Sequence, residues 1–264
     1  KTLTRLPRAG NPPPRLVETP SGMLNSVGLQ NPGFEVFLRE ILPEMKTLGV
    51  PLIVSILGES PDEVASMVKP LDQADGVAAI ELNLSCPNLS SHLMVAQDPA
   101  ATSAVVRAAR SQTRKPLIAK LSPDVTDMTV IAHAAEQAGA DAVAVGNTFT
   151  GMSLDPATRR SRLGSLTGGL SGPAIRPLAV YRVWRVAQAV RCPIIGIGGI
   201  ASADDALEFF LAGASAVAVG TANFADPSAA IHVLRGLRQF LQRAHHASLH
   251  EVIGTLNTSP QVVG

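Results

Sequence analysis

Aromatic residues make up only 3% of this 264-residue chain, with one Trp and one Tyr, so it offers no platform on which nucleic-acid bases could stack. Charge of one sign is equally scarce: 22 Lys and Arg against 21 Asp and Glu leave a net charge of +1, with no basic field to draw a phosphate backbone. Both absences argue against a nucleic-acid partner. No apolar run reaches the roughly 18 residues a spanning helix needs, because Gly, Pro or charge interrupts each one. With no cleavable apolar leader either, a cytoplasmic protein without membrane contact is expected. Two cysteines, Cys86 and Cys192, are too few for a four-thiolate iron-sulfur cluster and form no metal-ligand spacing. The six His are scattered, the pair His245-His246 included, and no chemistry is assigned to them.

What is present is a hydrophobic content of 46%, enough for a large core, and one domain over residues 1–264 is the economical reading. Short β-rich runs alternate with longer amphipathic segments, the pattern of βα units around a parallel sheet. Strands are expected at 51–57, 77–82, 116–121, 142–146, 193–198 and 214–219. Helices are expected at 61–68, 99–111, 127–138, 175–190, 203–211 and 227–243. Asp98, Ser202 and Asp226 stand as caps ahead of three of them. The fold class is therefore α/β, a (β/α)8 barrel with its first one to two strands missing from this chain. Such a barrel has eight units, six are visible, and the other two belong before Lys1. Two stretches rich in Gly, Pro and polar residues, 1–33 and 147–173, do not fit the repeat. Excursions of that length are commonly functional.

The chemistry concentrates in Glu81-Leu-Asn-Leu-Ser-Cys86-Pro-Asn88. Asn83 and Asn88 can each donate and accept, so they suit a ligand with amide and carboxylate edges, while Cys86 is a candidate proton acceptor. A lone Ser-Cys-Pro could equally be a buried thiol in an ordinary turn. Barrel active groups gather at the carboxyl ends of strands, and there the chain sets Asn83, Cys86 and Asn88, then Lys120, then Asn147 and Thr148, then Gly198 and Gly199, then Gly220 and Thr221. Ile195-Gly-Ile-Gly-Gly199 and Val219-Gly-Thr221 offer backbone amides that a phosphate can approach, and Gly168 to Gly172 could supply a third set. Any single glycine pair could instead be a tight turn. Lys120 ends an apolar strand and needs an anion, either a reduced flavin or, in the plainer reading, Asp124 or Asp127. Cys192, ahead of the strand at 193–198, falls at the opposite end of the barrel and reads as structural.

On these residues the chain resembles dihydroorotate dehydrogenase, specifically the catalytic flavin subunit of the NAD-linked class 1B enzymes. The stretches that carry the resemblance are Gly10-Asn-Pro-Pro-Pro-Arg15, Leu24-Asn-Ser-Val-Gly-Leu-Gln-Asn-Pro-Gly33, Glu81 to Asn88, Ala119-Lys-Leu-Ser-Pro123, Gly169-Leu-Ser-Gly-Pro173, and Gly196-Ile-Gly-Gly199 through Val219-Gly-Thr-Ala-Asn-Phe-Ala-Asp226. The resemblance implies FMN as cofactor and oxidation of dihydroorotate to orotate in pyrimidine (UMP) biosynthesis. Cys86 falls on the base that removes the C5 proton while a hydride leaves C6 for the flavin. Substrate contacts are implied for Lys1, Asn25, Val27, Gly28, Leu29, Asn83, Asn88, Asn147 and Thr148. Flavin contacts are implied for Lys1, Thr2, Asn83, Lys120, Gly146, Gly172, Gly198, Gly199, Gly220 and Thr221. It also implies a homodimer within a heterotetramer, whose second subunit carries FAD and a 2Fe-2S cluster and passes electrons to NAD. Departures from the pattern are the upstream strands, one of which carries a flavin-binding turn, and the stretch 89–97, where the family usually has Gly-Gly and Phe-Gly.

Competing readings remain. A dihydropyrimidine dehydrogenase shares the barrel and the cysteine turn, with uracil or thymine as substrate. A tRNA dihydrouridine synthase requires a basic surface that is absent. A phosphate-binding isomerase or aldolase barrel accounts for the glycines but not for the asparagine-rich turn, and an inactive barrel fragment is a further possibility. Without a partner subunit, a soluble acceptor such as fumarate replaces NAD. If Cys86 is the base, flavin reduction accelerates with pH as the thiolate forms, from an ordinary thiol pKa of about 8.5. Stopped-flow reduction that stays flat from about pH 6 to 10 contradicts that role.

Overall fold

The structure, a computed structural model, describes residues 1–85 and 94–259. Strands β1 (Leu16–Thr19) and β2 (Gly22–Asn25) come first, followed by the short helices α1 (Phe34–Val36) and α2 (Leu42–Lys46). The βα repeat then runs β3 (Leu52–Ile56), α3 (Pro61–Gln73), β4 (Val77–Asn83), α4 (Pro99–Arg110), β5 (Leu117–Lys120), α5 (Met128–Gln137) and β6 (Ala142–Val145). An excursion holds β7 (Phe149–Gly151), β8 (Leu154–Asp155), β9 (Arg160–Ser161) and β10 (Gly168–Ser171). The repeat resumes with α6 (Arg176–Ala187), β11 (Ile194–Ile197), α7 (Ala203–Leu211), β12 (Ala216–Ala218), α8 (Ala222–Ala225) and α9 (Ala229–Arg243).

Six strands form one parallel sheet in the order β12-β11-β6-β5-β4-β3, which with its flanking helices makes an incomplete (β/α)8 barrel. Side chains alternate between faces along a strand. One face, carrying Ile80 and Leu82, Leu117 and Ala119, Val143 and Val145, joins the main core with the helices. The other gathers Ala79, Ile118 and Ala144 with Ile195 and Ile197 as a separate small cluster inside the curl. Lys120 lies two residues beyond Ile118 and Asn83 four beyond Ala79, so both belong to the inner face at the carboxyl rim.

Each expected strand is present, most of them shorter by a residue or two at the ends. The first long helix continues to Gln73 rather than stopping at Val68, with Pro70 inside it. A proline in a helix costs about 3 kcal/mol, and the residue after it, Leu71, is completely buried in the main core. Asp98 and Ser202 accept hydrogen bonds from the first turns of α4 and α7 as expected. Asp226 does not cap its helix directly: it accepts from Ser228 N at 2.8 Å, and α9 begins at Ala229.

The two segments outside the repeat find each other. β2 pairs with β10 and β10 with β7, giving an antiparallel sheet β1-β2-β10-β7 above the carboxyl end of β6. Gly22 and Gly172 let these backbones touch, since a Cβ on Gly172 would stand 2.7 Å from Gly22 Cα. The first residues also extend the main sheet. Leu3 N donates to Ser55 O at 2.8 Å and Leu57 N to Leu3 O at 2.9 Å, a parallel bridge beside β3.

Phe209, fully buried, fills the space that Gly196 leaves on β11, where a Cβ would stand 2.5 Å from the ring. Phe209→Ala is expected to cost about 3–5 kcal/mol, read as a lowered urea midpoint with an unchanged slope. A loss below 1 kcal/mol would show that the core does not depend on this contact.

Candidate active site

The carboxyl rim carries one connected chain of polar side chains. Ser55 Oγ and Thr2 Oγ1 lie 3.0 Å apart, and Asn83 Nδ2 donates to Thr2 Oγ1 at 3.2 Å. Ser85 N donates to Asn83 Oδ1 at 3.3 Å. Asn147 Nδ2 donates to Ser85 Oγ at 2.9 Å, and Thr148 N to Asn147 Oδ1 at 2.8 Å. The chain thus links the first extended segment, β4 and the loop after β6. Asn25 reaches the same region from the small sheet: its Nδ2 donates to Gly169 O at 3.3 Å, and Gly169 packs on Thr148.

Two cations face this chain. Asn83 pairs in register with Lys120, and Lys1 lies close enough to Lys120 to feel its charge. Desolvation lowers the Lys1 pKa from the ordinary lysine value, and Lys120 lowers it further. Among the described residues neither lysine has a carboxylate within ion-pair distance. Asp124 instead accepts from Thr150, and Asp127 from Thr129 with Arg185 at 3.9 Å, so the plainer reading of Lys120 does not hold. A second cation nearby disfavours the charged form of Lys1.

A cavity of about 470 Å³ adjoins the glycine turns and is lined in part by Thr19, Met23, Gly172, Gly199, Thr221 and Phe224. Gly172 and Gly199 have φ of 93° and 72°, the left-handed region that favours glycine. Outside regular elements, no hydrogen bond among the described residues engages the N–H groups of Gly172, Gly199 or Thr221. A Cβ on Gly220 would meet nothing within 4 Å, so protein packing does not require a glycine there. Gly198 differs, because its added Cβ would stand 2.7 Å from Ala179 Cβ. Gly146, buried at the end of β6, has only the Met128 methyl near its missing Cβ, at 3.9 Å. Within the expected third set of amides, Gly169 and Leu170 pair with both β2 and β7, whereas Gly172 lies outside the paired residues.

Val27, Gly28 and Leu29 sit in the loop after β2, where Asn11 N donates to Val27 O at 3.1 Å. No hydrogen bond among the described residues joins them to the asparagine chain. They are tied to the first segment through Asn31, whose amide bonds Leu29 O, Thr4 Oγ1, Thr4 N and Gly33 N at 2.8 to 3.3 Å. Cys86 and Asn88 lie outside the described residues. Sequence reasoning missed Ser55, Ser85 and Asn31. Ser85 stands inside the asparagine-rich run and was open to notice, whereas Ser55 and Asn31 matter only through partners remote in sequence. Among the described residues there is no cluster of potential metal ligands, and no helix is long and apolar enough to cross a membrane.

An α/β barrel whose carboxyl rim gathers carboxamides and lysines beside glycine turns has the fold and residue set of a barrel enzyme. The family model for dihydroorotate dehydrogenase matches residues 1–241, and the chain belongs to that family of oxidoreductases. It is 54% identical, over 96% of its length and 83% of the relative's, to the catalytic subunit of dihydroorotate dehydrogenase B (NAD(+)) of Desulforudis audaxviator strain MP104C. The subunits of the same description from Trichlorobacter lovleyi and Geotalea uraniireducens are each 51% identical, over 97% and 98% of this chain and 84% and 85% of theirs.

Cys192 sits at the amino end of β11, where its N–H donates to Glu136 Oε1 at 2.8 Å. Burial, and then the Glu136 carboxylate, push its thiol up to about 11. Since the thiolate is the reactive form, iodoacetamide labelling of Cys192 is expected to be slow up to about pH 9 and to rise towards pH 11. Peptide mapping checks this, and labelling at pH 8 as fast as that of a free thiol would contradict it.

Proposed function

We propose that this chain oxidises dihydroorotate to orotate on bound FMN, as a step of pyrimidine biosynthesis. The observation that carries the reading is the polar chain from Thr2 to Thr148 set beside Lys1 and Lys120, which have no carboxylate within ion-pair distance among the described residues. Dihydroorotate presents amide edges and a carboxylate, and carboxamides complement such edges in both directions. In this reading Asn25, Asn83, Asn88, Asn147 and Thr148 hold the ring, and the backbone from Val27 to Leu29 and Lys1 serve the carboxylate side.

The residues present fit FMN. Lys1 and Lys120 match the negative charge that a reduced flavin carries near N1 and O2, with Thr2, Asn83 and Gly146 beside them. The N–H groups of Gly172, Gly199 and Thr221, with Gly198 and the open Gly220, suit its phosphate. When bound, FMN supplies the acceptor for the hydride leaving C6. Cys86 takes the C5 proton as general base, and Asn83 and Asn147, bridged by Ser85, fix the ring against it. The relatives are described as catalytic subunits of an NAD(+)-linked enzyme, which supports a partner subunit that takes the electrons onward through FAD and a 2Fe-2S cluster. A homodimer of this chain completes that assembly.

The test is the visible spectrum of the purified chain before and after anaerobic addition of dihydroorotate. A flavin band near 450 nm that bleaches is the expected result. A flavin band that remains oxidised with dihydroorotate but bleaches with dihydrouracil would move the substrate to unsubstituted pyrimidines. A chain that binds no flavin would overturn the cofactor assignment. Lys120→Met is expected to retain the fold and to slow reduction at least tenfold, by removing the charge that favours the reduced state.

A further inference from the structure

We propose that Asp124 is a positioning residue that, together with Gln97 and Thr150, joins the chain after β4, β5 and β6 into one frame and sets Asn147 and Thr148 against Lys120. The assignment of its effect to substrate binding rests on the dihydroorotate reading.

Asp124 stands four residues beyond Lys120, in the loop leaving β5. Its carboxylate accepts from Thr150 Oγ1 at 2.6 Å and from Thr150 N at 3.4 Å. Thr150 is two residues beyond Thr148, on β7, so this pair ties the Lys120 loop to the Asn147–Thr148 loop directly. The main-chain oxygen of the same residue accepts from Gln97 Nε2 at 2.7 Å, and Gln97 Oε1 accepts from Met94 N at 3.0 Å. Through those two bonds the chain entering α4 is held to the same point. Arg182, on α6, braces the junction from behind: its guanidinium donates to Pro123 O at 3.0 Å and lies 4.7 Å from the centre of the Phe149 ring.

A hydrogen bond to a carboxylate is stronger than one between neutral groups, and here an exposed one joins the loop after β5 to β7, which no main-chain ladder connects. Reaction rates are sensitive to placement, with a shift of about 1 Å costing roughly a hundredfold. None of these three side chains belongs to the polar chain from Ser55 to Thr148, and each acts on the site through a neighbour.

The experiment uses the full chain loaded with FMN. Thr150→Val removes the hydroxyl at nearly constant volume, and Thr150→Ser keeps it. The expected result for Thr150→Val is a KM for dihydroorotate raised about tenfold with little loss of flavin, while Thr150→Ser stays within twofold of the parent. Combining Thr150→Val with Asp124→Asn is expected to add little to either change alone, the mark of a shared interaction. Amide exchange over residues 121–127 and 147–151, measured without substrate, is expected to quicken in Thr150→Val. An unchanged KM in Thr150→Val, or an equal rise in Thr150→Ser, overturns the proposal. A parent chain that holds flavin but is not reduced by dihydroorotate overturns the substrate reading alone. Amide exchange then decides the frame, and unaltered exchange overturns it.

Discussion

Parallel pairing of six strands is the constraint on which everything else depends. Because β3, β4, β5, β6, β11 and β12 run the same way, each strand's carboxyl end arrives at the same rim. The registers Asn83 to Lys120 and Lys120 to Ala144 then bring a carboxamide, an ammonium group and the approach to Asn147 side by side, although they come from distant parts of the chain. Alternation along each strand does the rest. With Ala79, Ile118 and Ala144 turned into the curl, Asn83 and Lys120 share that face, while Leu82 and Ala119 point into the helical layer.

The rim is polar, and it remains ordered because its polar atoms bond one another. Asn83 and Asn147 use both ends of their amides, joined by Ser85, and Asn31 engages four partners while almost fully buried. Leaving such groups unmet would cost on the order of 1–3 kcal/mol each, so the network along the rim also supports the fold. The lysines are the exception. Among the described residues Lys1 and Lys120 have no carboxylate within ion-pair distance, and desolvation, then the Lys120 charge, lower the Lys1 pKa. The glycine turns follow the same logic: Gly199 could not bear a side chain beside Gly172 and Arg176, whereas Gly220 opens onto free space.

Much of the architecture was legible in the chain. Alternating apolar runs located the six parallel strands, and Asp98 and Ser202 marked the helix starts that the structure shows. Helix ends were less legible. Nothing local to residues 69–73 announces that α3 continues through a proline, with Leu71 buried in the core. The two irregular segments could be recognised as departures from the repeat, but not as partners, because the pairing of β2 with β10 depends on residues more than 140 positions apart.

By itself the sequence determined the class of fold and the inventory of chemical groups, since periodicity, caps and strand-end residues are local properties that a parallel sheet must place on one rim. Only the tertiary structure decided which groups meet. It paired Asn147 with Ser85, left Lys120 without Asp124 or Asp127, and committed the β10 backbone to its two neighbouring strands. Those outcomes follow from register and from competition among hydrogen-bond partners, quantities that exist only once distant segments have packed against each other.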